Sequence, residues 1–230
     1  MRCVIGIVSL FLSCSLLCAQ TPAPESVEDG SKVVASGPIV TFTLDFPKSQ
    51  PEHYAIRIPA EGSAHYQSTG RISRESEETD SFELDFALSD EMRAKIFRLA
   101  RGAGNFQRDL DSHQKNLAFT GKKTLTYKDA GSSGEASFNY ASDPAARELT
   151  ALFQNLSATL EFGHRLDYDH RYQKLALDEE LKRMQEMAQD NGLVEVAAIQ
   201  PILEKIVADR SVMNVARARA QQLLQAPGRR

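Results

Sequence analysis

The chain has 230 residues, of which 42% are hydrophobic and 25% charged, and its formal net charge at pH 7 is -4. This composition is typical of a globular protein, and it excludes a collagen, a long coiled coil and a wholly disordered chain. Acidic side chains outnumber basic ones on both sides of residue 143. Neither half therefore has the basic character of a nucleic-acid-binding domain, and we expect no nucleic acid among the partners.

The first 19 residues have the pattern of a secretory signal peptide. Arg2 supplies a positive charge, residues 4–12 form an apolar run, and the small Ala19 precedes the expected cleavage site. The apolar run is shorter than the ~20 residues that cross a bilayer, so no transmembrane span is predicted. We expect an exported mature chain that begins at Gln20.

The positions of the cysteines favour a particular compartment. Cys3, Cys14 and Cys18 all lie within the predicted signal peptide, so the expected mature chain has none. Proteins exported to oxidising compartments commonly contain disulfides, and a chain without them favours a bacterial periplasm or cell envelope. An alternative is a lipoprotein, in which Cys14 or Cys18 carries a lipid that tethers the chain to a membrane. Residues 20–37 are rich in Pro, Ser, Glu and Gly and predict a disordered spacer.

Apolar residues alternate with polar ones in a series of short segments, which is the period-two pattern of β-strands. Residues 64–69 are polar enough to predict an exposed return strand, and the charged residues 71–80 predict a solvated loop. The predicted strands are residues 39–46, 54–58, 64–69, 82–88, 122–128 and 135–140.

Two helices are predicted between and after these strands. Ser89 is the expected N-cap of the first helix, which ends at Gly102. Asp143, followed directly by Pro144, begins the second helix, which we expect to end near Gly163. Strands followed by a helix thus occur twice, and the connections favour an α+β fold: an antiparallel sheet with helices packed on one face, followed by a C-terminal helical segment.

We expect the α+β domain to cover residues 38–163 and the helical C-terminal segment to cover residues 164–230. In the C-terminal segment, apolar residues recur at helical spacing in three stripes. Pro201 is expected to kink a helix or begin a new one, and Ser211 is the expected cap of the last helix. These stripes provide more apolar surface than one small sheet can cover. We therefore expect the helices to pack on the sheet domain, on one another or on a partner.

Four residues near the junction of the two segments are weak candidates for metal ligands: His164, Asp167, Asp169 and His170. Imidazole and carboxylate groups both bind zinc and other divalent ions. The two histidines lie six residues apart across an expected helix junction, whereas histidine ligands on one helix are spaced by four. A polar elbow is therefore the favoured interpretation, and no metal site is assigned.

Other motifs also fail to form a catalytic or cofactor site. Asp109, Asp111 and His113 resemble the start of a calcium loop, but Gln114 stands where glycine is required. Thr120 likewise stands where a bidentate glutamate is required. The sequence contains no Gly-x-Ser-x-Gly motif and no glycine-rich phosphate loop, so we assign no catalytic residue and no cofactor.

The aromatic residues on the predicted strands would form either a contact surface or part of the core. Core packing is the favoured interpretation, because aromatic residues on strands are more often buried. These residues are Tyr54, Tyr66, Tyr127, Phe138 and Tyr140.

A set of spaced residues gives the chain a resemblance to other proteins. The set comprises Tyr54-x-Ile56-x-Ile58, Glu61-Gly62, Tyr66, Gly70, the Ser89 helix with Ile96, Phe97 and Leu99, then Phe106, Thr124–Tyr127 and Asp143-Pro144. This hairpin-helix-hairpin-helix pattern, over residues 40–160, resembles uncharacterised exported bacterial domains of unknown function. Such domains have no assigned catalytic residues, so the resemblance implies no site.

The sequence leads to one main hypothesis and two alternatives. The main hypothesis is a non-catalytic protein-interaction or structural module of the cell envelope, with another envelope protein as its partner. One alternative is a small-ligand-binding periplasmic domain with its pocket between sheet and helices. The other is a metal-dependent hydrolase that uses His164, Asp167, Asp169 and His170.

Overall fold

The computed structural model describes residues 37–47, 49–71 and 79–225. The predicted signal peptide, residues 20–36 of the predicted spacer and residues 72–78 of the predicted loop lie outside these ranges. Thr79 and Asp80, for which the sequence predicts a loop, are the first residues of a strand, because Asp80 pairs in register with Gly70 of the preceding strand.

In the described ranges, six strands form one sheet: β1 (Ile39–Asp45), β2 (His53–Pro59), β3 (Ala64–Arg71), β4 (Thr79–Phe86), β5 (Lys122–Asp129) and β6 (Ser132–Phe138). Their order across the sheet is β4-β3-β2-β1-β5-β6, and every neighbouring pair is antiparallel. The first four strands form a meander, and β5 then pairs with the free side of β1. The predicted antiparallel α+β fold is confirmed.

The described residues also form five helices: α1 (Asp90–Gly102), α2 (Pro144–Tyr172), α3 (Leu177–Gln189), α4 (Gln200–Ala208) and α5 (Asn214–Gln225). The first two predicted caps are confirmed, since the Ser89 side chain accepts a hydrogen bond from the Met92 backbone and the Asp143 side chain accepts one from Ala146. Pro201 lies in the first turn of α4. None of these helices is long and apolar enough to cross a membrane.

The sheet buries one of its two faces. Val40 and Phe42 of β1 point towards the helices and are fully buried, whereas Thr41 and Thr43 between and after them face the other side. Helix α2 lies on the buried face, where the Phe153 ring stacks on Phe42 with ring centroids 5.1 Å apart. Helix α1 packs beside α2. The alternation in the sequence therefore reflects which side chains face the helices.

Helix α2 crosses the strands instead of running along them. Phe153 lies against β1, Ser157 against β3 and His164 against β4. The helix rises about 16 Å between the first and last of these residues, which matches the ~14 Å of three interstrand spacings. Because α2 continues to Tyr172, its last two turns extend about 12 Å past the edge of the sheet.

The prediction that this helix ends near Gly163 is wrong. Gly163 lies inside α2, where a Cβ atom would stand 3.1 Å from Cβ of Ile199 and closer still to its Cγ2. The glycine permits close contact between α2 and the segment before α4, and it does not terminate the helix. The predicted polar elbow at residues 164–170 is wrong for the same reason, and the boundary predicted between residues 163 and 164 lies within α2.

Residues 64–69 are not the exposed return strand that their polarity predicts. They belong to β3, which lies between β2 and β4 in the sheet. Ala64 and Tyr66 are fully buried because alternate residues of β3 face α2, where the Tyr66 hydroxyl lies 2.9 Å from Ser157 Oγ. This burial is not evident from the composition of the strand, because the intervening His65 and Gln67 are polar.

The C-terminal helices pack on α2 and on one another. Leu181 of α3 and Leu203 of α4 are fully buried, and α5 packs against both of these helices. The prediction that Ser211 caps the last helix is wrong, because α5 begins at Asn214. The Ser211 hydroxyl instead donates a hydrogen bond to Asp209 at 2.7 Å.

Substitution of Gly163 tests the close contact between α2 and Ile199. We expect Gly163→Ala to lower the free energy of unfolding by about 1–3 kcal/mol, because the added methyl group overlaps a β-branched side chain. In an Ile199→Ala background the same change should cost clearly less, because the overlap with Cγ2 is removed and only the 3.1 Å contact with the Cβ atom of residue 199 remains, while alanine favours helix over glycine by about 1 kcal/mol. Urea unfolding of the four proteins measures both effects. Equal effects of Gly163→Ala in the two backgrounds would rule out the contact.

Candidate functional site

The four candidate metal ligands lie on the C-terminal half of α2 but do not converge. His164 and His170 point about 120° apart around the helix axis. His164 Nε2 is 2.7 Å from Asp80 Oδ2 of β4, and His170 Nε2 is 3.0 Å from Asp209 Oδ2 after α4. In the described part of the chain, no group of three or more His, Cys, Asp or Glu side chains is arranged to hold a metal ion.

The two carboxylates of this set have different surroundings. Asp167 pairs with Arg171 one turn later at 2.5 Å. Asp169 is partly buried, and its burial and the negative charge of Glu180 raise its pKa to about 6, while Arg165 acts in the opposite direction. Asp169 therefore changes its protonation between mildly acidic and neutral pH.

Asp209 joins three parts of the helical region, and the sequence analysis did not identify it. Its Oδ2 accepts a hydrogen bond from Lys174 Nζ at 2.6 Å and also contacts His170. Its Oδ1 accepts hydrogen bonds from the backbone and the hydroxyl of Ser211. These hydrogen bonds, above all that from Lys174, hold the pKa of Asp209 well below its usual range. Because its partners His170 and Lys174 lie far away in sequence, no local motif indicated this role.

Each of the five histidines of the chain hydrogen-bonds an aspartate side chain. The nitrogen-to-oxygen distances range from 2.6 to 3.0 Å. Four of the pairs connect different strands, helices or loops, so these histidines link parts of the fold. The pairs are His53–Asp45, His65–Asp85, His113–Asp109, His164–Asp80 and His170–Asp209.

The residues that resemble a calcium loop form a surface turn. The His113 ring is 2.6 Å from Asp109, which raises the pKa of His113 and lowers that of Asp109. The Asp111 carboxylate accepts hydrogen bonds from the backbone N–H groups of His113 and Asn139. The carboxylate oxygens are thus used to hold the loop between α1 and β5 against the end of β6.

Side chains occupy the space between sheet and α2, where the small-ligand hypothesis expects a pocket. The Tyr66 hydroxyl and the Ser68 hydroxyl each donate a hydrogen bond to Glu161 of α2 at 2.7 Å. Burial and the negative charge of Glu161 raise the pKa of Tyr66, so this hydroxyl stays protonated. The strand aromatics that we expected in the core are buried, namely Tyr54, Tyr66, Tyr127 and Phe138, whereas Tyr140 lies just after β6 and is 37% exposed.

Lys123 is a buried lysine that the sequence analysis also missed. Its Nζ donates hydrogen bonds to the Thr120 hydroxyl at 2.9 Å and to the carbonyl oxygen of Asn139 at 3.0 Å. The carbonyl oxygens of Thr120 and Gly121 lie at 3.2 Å. Burial lowers the pKa of Lys123. Since its three N–H groups have four oxygen acceptors, the ammonium group fixes the loop before β5 and is not free to act as a nucleophile.

The exposed part of α2 carries a row of aromatic side chains, which we call the aromatic stripe: His164, Tyr168 and Tyr172. They follow at intervals of four residues and therefore share one helix face. The His164 ring stacks on Phe82 of β4 with ring centroids 4.2 Å apart, and the rings of Tyr168 and Tyr172 lie 5.1 Å apart. Tyr168 is 43% exposed, Tyr172 70% and the nearby Leu175 80%. The stripe thus begins at the edge of the sheet and continues into solvent.

Strand β4, where the stripe begins, is an edge strand. Within the described ranges it pairs with β3 alone. Phe82 and Leu84 on its helix side are half-buried, while Glu83 and Asp85 on the other side are exposed. At β6, the other edge, Asn105 packs closely on the backbone of Gly134. The candidate functional site is therefore the unpaired edge of β4 together with the aromatic stripe.

The titration of Asp169 predicts a pH dependence of stability. Because the folded protein keeps the Asp169 proton to higher pH than the unfolded chain does, stability should fall as the pH rises from 4 through 6. Asp169→Asn removes the titrating group and with it the loss of stability above pH 4. It should therefore raise the free energy of unfolding at pH 7 by about 1 kcal/mol, since solvent screening limits the effect of a partly exposed group. At pH 4 it should change little.

Urea unfolding at pH 4, 5, 6 and 7 measures this effect. Asp167→Asn is the matched control on the same helix, and it should give no gain at pH 7 because Asp167 pairs with Arg171. An equal gain for Asp169→Asn at pH 4 and pH 7 would contradict the assigned titration.

Comparison with known proteins returns no relative: no protein-family model matches the chain, and no curated protein is similar to it. The resemblance to exported bacterial domains therefore rests on the sequence pattern alone.

Proposed function

We propose that the protein is an exported, non-catalytic protein-interaction module of the cell envelope, and that its partner is another envelope protein. The observation that carries the proposal is the aromatic stripe, which extends beyond the edge of the sheet and exposes Tyr168 and Tyr172. Tyrosine combines a large apolar surface with a polar tip, and it is enriched at protein interfaces and among the residues that dominate binding.

The stripe contributes little to the core of the protein itself. At 70% exposure, the Tyr172 ring leaves most of its surface in water, and Leu175 leaves more. Burial of apolar surface contributes roughly 25 cal/mol per Å², so a partner that covers these side chains gains stability that the isolated chain lacks. An exposed apolar group beside a free strand edge supports an interaction role.

The arrangement of the titratable groups supports a non-catalytic role. The histidines hydrogen-bond aspartates in different parts of the fold, and Lys123 is fully hydrogen-bonded. The metal-dependent hydrolase hypothesis needs His164 and His170 to meet, and the small-ligand hypothesis needs space that Phe42 and Phe153 fill. Both alternatives therefore have less support than the interaction module.

Crosslinking in the cell tests the interaction. A photoreactive amino acid in place of Leu175, in the full chain made by its native cells, should give a discrete adduct with one envelope protein. Tyr168→Ser with Tyr172→Ser should abolish this adduct without lowering the midpoint of thermal unfolding, because both side chains are exposed. Mass spectrometry of the adduct identifies the partner.

The matched control places the same photoreactive group at Val215 of α5, which is 45% exposed. This position should give no such adduct. If both positions gave the same adduct, or if the adduct survived the double substitution, the aromatic stripe would not be the interaction surface.

Export is the second part of the proposal, and the pattern of the first 19 residues supports it. We expect the protein isolated from the cell envelope to begin at Gln20, as measured by mass spectrometry of its N-terminal peptide. Ala19→Leu should leave the precursor uncleaved, because the residue before the cut must be small. A lipid-modified N-terminal Cys14 or Cys18 would instead support the lipoprotein alternative, and an uncleaved cytoplasmic chain would contradict export.

A further inference from the structure

We propose that β4 binds an extended segment of the partner in which apolar and basic residues alternate, and that this segment adds a seventh strand to the sheet. The inference rests on the proposed function and specifies the chemistry of its partner. It goes beyond the aromatic stripe because its main contacts are with the backbone of β4.

The backbone of β4 provides the first part of the site. β4 has 8 residues, and its pairing with β3 uses the N–H and C=O groups of alternate residues only. In the described part of the chain, the remaining groups face away from the sheet without a strand opposite them. An extended peptide that pairs with such an edge gains a ladder of main-chain hydrogen bonds, and pockets for alternate side chains provide selectivity.

The helix-side residues of β4 provide the second part. Side chains of an added strand would alternate between the two faces of the sheet, as those of β4 do. Those on the helix side would lie beside Phe82 and Leu84, which are only half-buried, and near the His164 ring that stacks on Phe82. This environment is apolar and aromatic. It selects apolar side chains at every second position of the partner segment.

The opposite face of β4 provides the third part. Glu83 and Asp85 are exposed there, and the Asp85 side chain keeps 75% of its surface in solvent while it contacts His65 at 2.8 Å. Side chains directly across or diagonal to these carboxylates lie within about 5–8 Å, so basic residues there would be favoured and acidic ones disfavoured. The intervening positions of the partner segment should therefore be lysine or arginine.

These charges also decide between a foreign segment and a second copy of the chain. If two β4 strands paired in antiparallel fashion, residues of one face would meet residues of the same face. Glu83 and Asp85 of one chain would then lie next to their counterparts in the other. Like charges opposite each other destabilise strand pairing, so a basic segment is favoured over self-association.

Peptide binding to the full exported chain tests the proposal. The probe is an acetylated peptide of alternating valine and lysine with the same length as β4. We expect it to slow amide hydrogen exchange in β4 but not in β6, and to bind about tenfold more tightly than a valine–glutamate peptide of equal length. The variant with Glu83→Lys and Asp85→Lys should reverse this preference. The matched control, Glu135→Lys on β6, should leave it unchanged.

A valine–lysine peptide that is N-methylated at every residue keeps the apolar and charged groups but lacks N–H donors, and it should not bind. The inference is overturned if this peptide binds equally well, if protection appears at β6, if the charge-reversed variant keeps the original preference, or if no β4 amide is protected at millimolar peptide. Sedimentation measures self-association directly. If the chain forms a dimer, and if Glu83→Lys with Asp85→Lys abolishes or strengthens that dimer, the inference is overturned in favour of pairing between two copies of β4. If the Leu175 adduct is still lost with the tyrosines, the proposed function stands without this inference.

Discussion

Helix α2 covers the buried face of the sheet at a large angle to the strands, and much of the remaining structure depends on this crossing. Over the sheet, α2 contributes Phe153 to the core, and its Glu161 side chain accepts hydrogen bonds from two hydroxyl groups of β3. Past β4, no strand of the described residues lies beneath it. There α3 and α4 pack against it, and Tyr168 and Tyr172 of the aromatic stripe are exposed to solvent. Because α2 is longer than the part of the sheet that it covers, one helix contributes both to the core and to the exposed surface.

Several charged groups link elements that strand pairing and core packing already place next to each other. His164 attaches α2 to β4 through Asp80, and Asp209 connects the end of α2 to the turn between α4 and α5. Exposed ion pairs contribute little net stability, about 0–1 kcal/mol each. Each of these pairs does, however, join two elements that are distant in sequence. The same residues would be a metal or catalytic cluster only if they met at one point.

Local features of the sequence were sufficient for the presence of six strands, the first two helix caps and the fold class, but not for the burial of β3 or for the bounds of β4 and β6. Each depends on neighbouring residues, such as the alternation around Phe42 or the sequence Asp143-Pro144. The predicted helix end at Gly163 was wrong because a glycine can either end a helix or leave room for a neighbouring side chain. The sequence alone does not distinguish these roles, and here the glycine leaves room for Ile199. The edge of β4 was missed because strand order depends on β5 pairing with β1, which no local pattern specifies. Asp209 was missed because its partners His170 and Lys174 are distant in sequence.

The central position of β1 affects how the protein carries force. β1 is the first strand of the described chain, and antiparallel ladders hold it on both sides, from β2 and from β5. A pull on its N-terminal end, as from an attachment to the envelope, would act along the strand and across its hydrogen bonds. The force would load both ladders in shear. Many hydrogen bonds would then bear the force together, and they would not break one after another. Three strands, β2, β3 and β4, would separate a partner strand on β4 from this line of tension, so binding and anchoring would act on separate parts of one sheet.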